Sequence, residues 1–258
     1  MTFLRIIATA LFFSILSVAH ATEIEIRIVS NISTQVNSEV ITPRGFIHYS
    51  QAAEGQVVTV PIPDHVRIQG ISLHNSTIYF AVDSSFSAGG VSYRPTDIIK
   101  LEGGALSVWL SAHDIGLEIE ARFSDISVTS SGVAISIDRT VQTGIGVITP
   151  RDIVYWDGDS LSKLFSGASS GVPETVALSG FSFCDDNQLL YLTFSNSASL
   201  QDTLPVDNSI FRFDIDKAKW LSPLSADALI GGCSTCRINA LDVQRDPSYI
   251  FKDRFEEI

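Results

Sequence analysis

The sequence predicts an all-β protein, built as a β-propeller-like ring of about four four-stranded sheets. Three observations lead there. The ten residues "VITPRGFIHY" at 40–49 return almost unchanged as "VITPRDIVYW" at 147–156. Runs of strict apolar alternation recur between these copies at a steady interval. Turn-forming residues punctuate the whole chain, and helical periodicity is nearly absent: "SADALI" (225–230), one turn long, is the best helical stretch.

The repeated decapeptide belongs to a longer series. "VITPRGFIHY", "RPTDIIKL" (94–101), "TPRDIVYW" (149–156) and "DNSIFRF" (207–213) align with Ile47, Ile99, Val154 and Phe211 as equivalents, at steps of 52, 55 and 57. Each copy opens on turn residues, often with a proline that presets φ. It then runs through β-branched and aromatic residues, as a turn feeding a strand does. Between these copies lies an alternating element: Ile78, Phe80 and Val82 in "TIYFAVD", Val133, Ile135 and Ile137 in "VAISID", Leu190, Leu192 and Phe194 in "LYLTFS". "EIEIRI" (Ile24, Ile26, Ile28) and "YIF" (Tyr249, Phe251) extend the series to both ends. Residues 28, 82, 137, 194 and 251, taken as equivalents, step by 54, 55, 57 and 57. Period-two alternation marks a strand with one face toward a core.

Two more strands fit in each unit. "ALSVWLS" and "SLSKLFS" follow the first element; "ISLHNS", "ISVTSS" and "FSFCDD" precede the second across short polar turns. Four strands per unit is the footprint of a propeller blade. The turn-strand element occurs four times and the alternating strand five, so a ring of four would hold one surplus strand able to pair across the chain ends. Such closure removes exposed sheet edges. An incomplete five-bladed ring, a β-sandwich and an open solenoid are the alternatives.

Residues 1–21, "MTFLRIIATALFFSILSVAHA", combine Arg5, a long apolar run and the small-x-small ending Ala19-His20-Ala21. That layout predicts a secretory signal peptide cleaved before Thr22, with an uncleaved anchor as the alternative. No later segment is long and apolar enough for a spanning helix. Residues 22–258 are then expected to form one exported domain, periplasmic or extracellular, with a short tail at about 254–258. The net charge of −12 comes from scattered acidic residues without basic clusters, which argues against nucleic acid or anionic membrane as partner.

Three cysteines are present. Cys233 and Cys236 form a C-x-x-C in "GGCSTCR". Gly-Gly before it and Ser-Thr within it read as a turn, whereas a redox motif wants a helix starting at the first cysteine, and a zinc knuckle a second ligand pair. A structural disulfide is expected there, and a buried thiol at Cys184.

"DIIKLEGG…VWLSAHDIGLEIEARFSDISV" and "DIVYWDGDSLSKLFSG" resemble repeats of uncharacterised exported bacterial proteins, which run as strand, "DI-hydrophobic-DG", strand, "GSDVGL", strand. The ending "YIFKDRFEEI" resembles the "IF-x-DGFE" tail of some of them, with Arg254 in the glycine position. The resemblance implies a propeller-like repeat fold and export; it carries no activity and no catalytic residues.

The chemistry of a site is harder to read. His48, His65, His74 and His113 show no metal-ligand spacing, and His48 aligns with Tyr155 as an ordinary strand residue. No G-x-S-x-G orients a serine nucleophile. Carboxylates remain: Asp157 and Asp159 in "WDGDS", Asp214 and Asp216 in "FDID", and Glu102 in "LEGG", all at the same turn of successive units. Close carboxylates are candidates for calcium or for a glycosidase acid/base pair, but recurrence at one turn favours Asp–backbone turn chemistry. Asp97 and Asp152, matched by Gly45 and Ser209, are turn positions by the same reasoning. Trp109, Trp156 and Trp220 have rings able to stack on a sugar, yet Trp156 aligns with Leu101 and Phe213, which points to packing between sheets. The expectation is an exported, non-catalytic binding or interaction module for a protein or glycan of the envelope or the exterior. The alternatives are a secreted carbohydrate-active hydrolase using these loop carboxylates and a structural envelope protein.

Overall fold

The computed structural model describes residues 25–30, 33–36, 39–49, 56–117, 121–195, 209–225 and 238–244. The signal-peptide segment, "SADALI" after Ser225, the Cys233–Cys236 pair, the "YIF" segment and the 254–258 tail lie outside them.

Four antiparallel four-stranded sheets form a four-bladed β-propeller. Blade 1 holds β1 (Glu25–Ser30), a small hairpin of β2 (Thr34–Val36) and β3 (Glu39–Ile41), β4 (Gly45–Tyr49) and β5 (Gln56–Thr59). Blade 2 follows with β6 (Ile68–His74), β7 (Thr77–Val82), the hairpin β8 (Phe86–Ala88) and β9 (Val91–Tyr93), β10 (Asp97–Glu102) and β11 (Ala105–Ser111). A 3-10 turn at Ala112–Ile115 leads to blade 3: β12 (Phe123–Val128), β13 (Val133–Ile137), β14 (Val141–Thr143), β15 (Gly146–Ile148), β16 (Ile153–Trp156) and β17 (Leu161–Phe165). Blade 4 has β18 (Leu178–Cys184), β19 (Leu189–Phe194), β20 (Ser209–Asp214) and β21 (Lys219–Ser225), and the last described strand is β22 (Ile238–Gln244).

The innermost strands are β22, β6, β12 and β18, which pack on one another around the axis. The first described strand, β1, is the second strand of blade 1, and the inner strand of that blade is β22, which pairs antiparallel with β1. The ring therefore closes across the chain ends, as the copy count predicts. The closing strand is, however, the fourth copy of the inner-strand element, "INALDVQ", and not a fifth alternating strand at 249–251. The vacancy to be filled is an inner one.

Register settles the repeat. Ile47, Ile99, Val154 and Phe211 stand opposite Ile28, Phe80, Ile135 and Leu192 respectively. The first set is the alignment expected from sequence. In the second, Ile28 is equivalent to Phe80, not Val82, a slip of two residues that alternation cannot detect because it preserves the face.

The echo at the start of the chain has two structural halves. "VI" closes a small hairpin, β3 or β15, and "TPR" forms the reverse turn into β4 or β16. Gly45, Asp97 and Asp152 donate their N–H groups to Thr42, Arg94 and Thr149 at 2.9, 3.0 and 2.9 Å. Asp97 and Asp152 add a side-chain bond back to the first residue of the turn. The proline carbonyl of each turn (Pro43, Pro95, Pro150) accepts the N–H that begins the next inner strand (Ile68, Phe123, Leu178) at 2.8, 3.1 and 3.0 Å. The turn latches each blade to its successor, which is a reason for it to recur.

The core is four apolar clusters, one between each pair of neighbouring blades. Both faces of a blade are therefore covered. Phe80, Val82, Val133, Ile135, Ile137, Leu190 and Leu192 are buried as expected, Ile78 and Phe194 half-buried; the alternate residues Ala81, Ala134, Ser136, Tyr191 and Thr193 are buried too. Ile135 is fully enclosed. Truncation of Ile135 to Ala is expected to cost about 2–5 kcal/mol in urea unfolding, through lost transfer energy and the cavity left behind.

Candidate functional site

The four inner strands carry one pattern in register: Gly70-Ile71-Ser72-Leu73, Asp125-Ile126-Ser127-Val128, Gly180-Phe181-Ser182-Phe183 and Ala240-Leu241-Asp242-Val243. The second residue of each is buried in an interblade cluster, and the third is also buried, beside the axis. There the third residues form a closed ring. Ser72 Oγ accepts the N–H of Val128 (3.0 Å), Ser127 Oγ that of Phe183 (3.0 Å), and Ser182 Oγ that of Val243 (2.9 Å). Asp242 Oδ2 completes the circuit with Leu73 N–H at 3.1 Å. Asp242 also binds Arg27 Nη1 at 2.8 Å, both side chains being buried. Burial pushes the Asp242 pKa up, and the Arg27 charge pulls it back.

One layer deeper, the first residues of the pattern leave room for a single carboxylate. Asp125 Oδ1 accepts N–H from Ile71 (3.2 Å) and Ile126 (2.8 Å), and Oδ2 accepts from Phe181 (2.6 Å) and Leu241 (3.2 Å). One N–H comes from each blade. A Cβ at Gly70 would stand 2.7 Å from Asp125 Cα, so glycine in blade 2 is what admits the Asp125 side chain. Burial drives the Asp125 pKa well above the usual carboxylate range, against the pull of the four amides.

Above the serine–aspartate ring the axis opens into a cavity of about 690 Å³, bounded by the ends of the inner strands and the hairpin turns that follow them. Its rim carries His74 and Asn75 from blade 2, Thr129 and Ser130 from blade 3, Asp185, Asp186 and Asn187 from blade 4, and Gln244 from the closing strand. Asn75 and Ser76 both have positive φ (49° and 63°), as a two-residue hairpin turn requires. Cys184 sits here as well, half-buried rather than buried as expected, its thiol donating to the carbonyl of Val243 at 3.2 Å.

The carboxylates singled out from sequence lie on the turns between the third and fourth strands, each pair on its own blade. Asp157 accepts the N–H groups of Asp159 (2.9 Å) and Ser160 (2.8 Å) and the Ser160 hydroxyl (3.0 Å), bonds that lower its pKa. Asp214 accepts Lys217 Nζ (2.6 Å) and N–H (3.0 Å), which likewise lower it. Glu102 pairs with Lys100 at 2.8 Å; Asp159 and Asp216 are exposed. These groups serve their own hairpins, and among the described residues no three His, Cys, Asp or Glu side chains gather as a metal site. Asp125 and Asp242 escape the motif search. Their signal is the aligned quartet of inner strands, visible only once "ALDV" is recognised as the fourth copy.

No family model matches the chain, and no curated protein matches it in sequence. In fold it is similar to β-propeller proteins. A chain of a nidogen/laminin complex matches 85% of this chain and 98% of its own length, at 9% identity and a TM-score of 0.38. A hemopexin fold protein, CP4 from cow pea, matches 67% of this chain and 76% of its own, at 12% identity and TM-score 0.39. Virginiamycin B lyase from Staphylococcus aureus matches 76% of this chain and 54% of its own, at 13% identity and TM-score 0.31.

Proposed function

We propose that this protein is an exported, non-catalytic binding module that holds a compact polar ligand at the axial mouth. The observation that carries this reading is a contrast along the axis. The ring beneath the mouth repeats from blade to blade, as a structural device does. The rim above it does not repeat, and unlike side chains converge on one cavity of ligand size. Among the described residues the lining holds Asp185 and Asp186 and no lysine or arginine, so a neutral or cationic ligand fits it and an anionic one is opposed. The separate turns that occupy Asp157 and Asp214 support binding over carboxylate catalysis. The apolar segment at 1–21 and the resemblance to exported bacterial repeat proteins support a periplasmic or extracellular location, with Cys233 and Cys236 paired there.

The test is a thermal-unfolding screen of the mature chain against sugars, amino acids, polyamines and organic acids. A neutral or cationic compound is expected to raise the melting temperature, since a ligand at a hundred times its Kd stabilises by about 2.7 kcal/mol. The gain should vanish in an Asp186→Ala/Asn187→Ala double variant. Stabilisation by organic acids alone, or glycoside hydrolysis abolished by Asp157→Asn, would overturn the reading.

A further inference from the structure

The chain has three tryptophans, and the fold uses them differently. Trp220 is half-buried against Phe165, Phe194, Phe211 and Phe213 and donates its indole N–H to the Ser170 carbonyl at 2.8 Å. Trp156 is half-buried against the core between blades 2 and 3. Trp109 is 39% exposed on β11, the outer strand of blade 2, beside Val108 at 41%. It is the extra residue of a bulge, since Ile98 pairs with Leu110 and Ile99 with Val108. Its ring meets Tyr79 edge-on, with centroids 4.8 Å apart. Tyr79, Lys100 and Ser107 form one cross-strand row, and Lys100 Nζ binds Glu102 Oε2 at 2.8 Å. In blade 3 the position of Val108 is taken by Lys163, each lying opposite the equivalent residue of the third strand. A lysine there guards a sheet edge; blade 2 presents apolar surface instead.

We propose that the face of blade 2 carrying Trp109 and Lys100 is a glycan platform, on which the Trp109 indole, braced edge-on by Tyr79, stacks against the C–H face of a neutral hexopyranose. Lys100, Glu102 and Ser107 hydrogen-bond its hydroxyls. An exposed indole sheds ring-bound water when a flat apolar surface covers it, and the sugar's C–H face is such a surface. The Lys100–Glu102 pair sets donors and an acceptor side by side with no net charge, which suits hydroxyls rather than an ion. The apolar part of the patch is the Trp109 and Tyr79 rings, Val108 being paired with Ile99 on the opposite face. A stable protein partner would need about 800 Å² on each side. The platform is independent of the axial mouth.

Calorimetric titration of the mature chain with cellohexaose, chitohexaose and maltohexaose tests this. At least one should bind saturably. Trp109→Ala should weaken that binding by at least about tenfold at unchanged melting temperature, and Trp109→Tyr should retain most of it. Glu102→Gln should weaken it several-fold, and the Asp186→Ala/Asn187→Ala mouth variant should leave it intact. Failure of all three sugars to bind would overturn the proposal, as would binding indifferent to both Trp109→Ala and Glu102→Gln. So would sedimentation showing self-association that Trp109→Ala abolishes while sugar binding persists, which assigns Trp109 to a protein contact.

Discussion

Asp125→Asn is expected to lower the unfolding free energy by about 2–6 kcal/mol, because two buried N–H donors lose their acceptor at about 1–3 kcal/mol each. The carboxylate accepts four N–H groups, one from each blade, on the axis of the ring. An amide in its place turns an NH₂ toward amides that also donate, so two of the four acceptor roles are lost. Asp125→Ala removes all four and leaves a cavity on the axis. Urea titration reads both variants, and a loss below about 1 kcal/mol for Asn would show that the axial contact is incidental. The pH dependence has a defined sign. Because burial raises the folded-state pKa of Asp125, its ionisation opposes folding. Its contribution is fully present below the unfolded value of about 3.9 and is lost as the pH rises through the folded pKa. Stability of the parent protein should therefore fall with rising pH more steeply over that interval than in Asp125→Asn.

Removal of Arg27 comes second in size. Arg27 and Asp242 occupy positions that are Tyr79 and Ser72 in blade 2, Ala134 and Ser127 in blade 3, and Tyr191 and Ser182 in blade 4. Blade 1 alone places an ion pair where the others place serine beside an uncharged residue. Arg27→Tyr strands the Asp242 carboxylate in the core, and about 3–5 kcal/mol should be lost. Adding Asp242→Ser restores the repeat pattern, a hydroxyl again accepting the N–H of Leu73, and most of that loss should be recovered. The double-mutant cycle isolates the coupling between the two. A double variant as unstable as Arg27→Tyr would mean that the ion pair fixes blade 1 beyond its place in the ring.

The separate standing of these two carboxylates shows where sequence reading stops. Alternation at Ile78, Val133 and Leu190, and prolines at regular distance from the next apolar run, are written in neighbouring residues. They depend on backbone periodicity, which is local. They point to the alternating strands, the turns at Asp97 and Asp152 and a ring of about four blades, but not to β22, the inner strand that closes it. Turn chemistry for Asp157 and Asp214 was legible for the same reason, each bonding partner lying within three positions. The pairing of Ile28 with Leu241, the mouth built from His74, Thr129, Asp186 and Gln244, and the convergence of the Ile71, Phe181 and Leu241 amides on Asp125 join residues 54 to 213 positions apart. Such contacts arise only when four sheets pack about one axis. Nothing in "FSDISV" distinguishes an aspartate bound for solvent from one that ends at the centre of the ring. The repeating units and their order are written in the chain's local pattern. Which polar residues meet depends on packing, because burial and hydrogen-bond demand on the axis are properties of the closed ring and of no single blade.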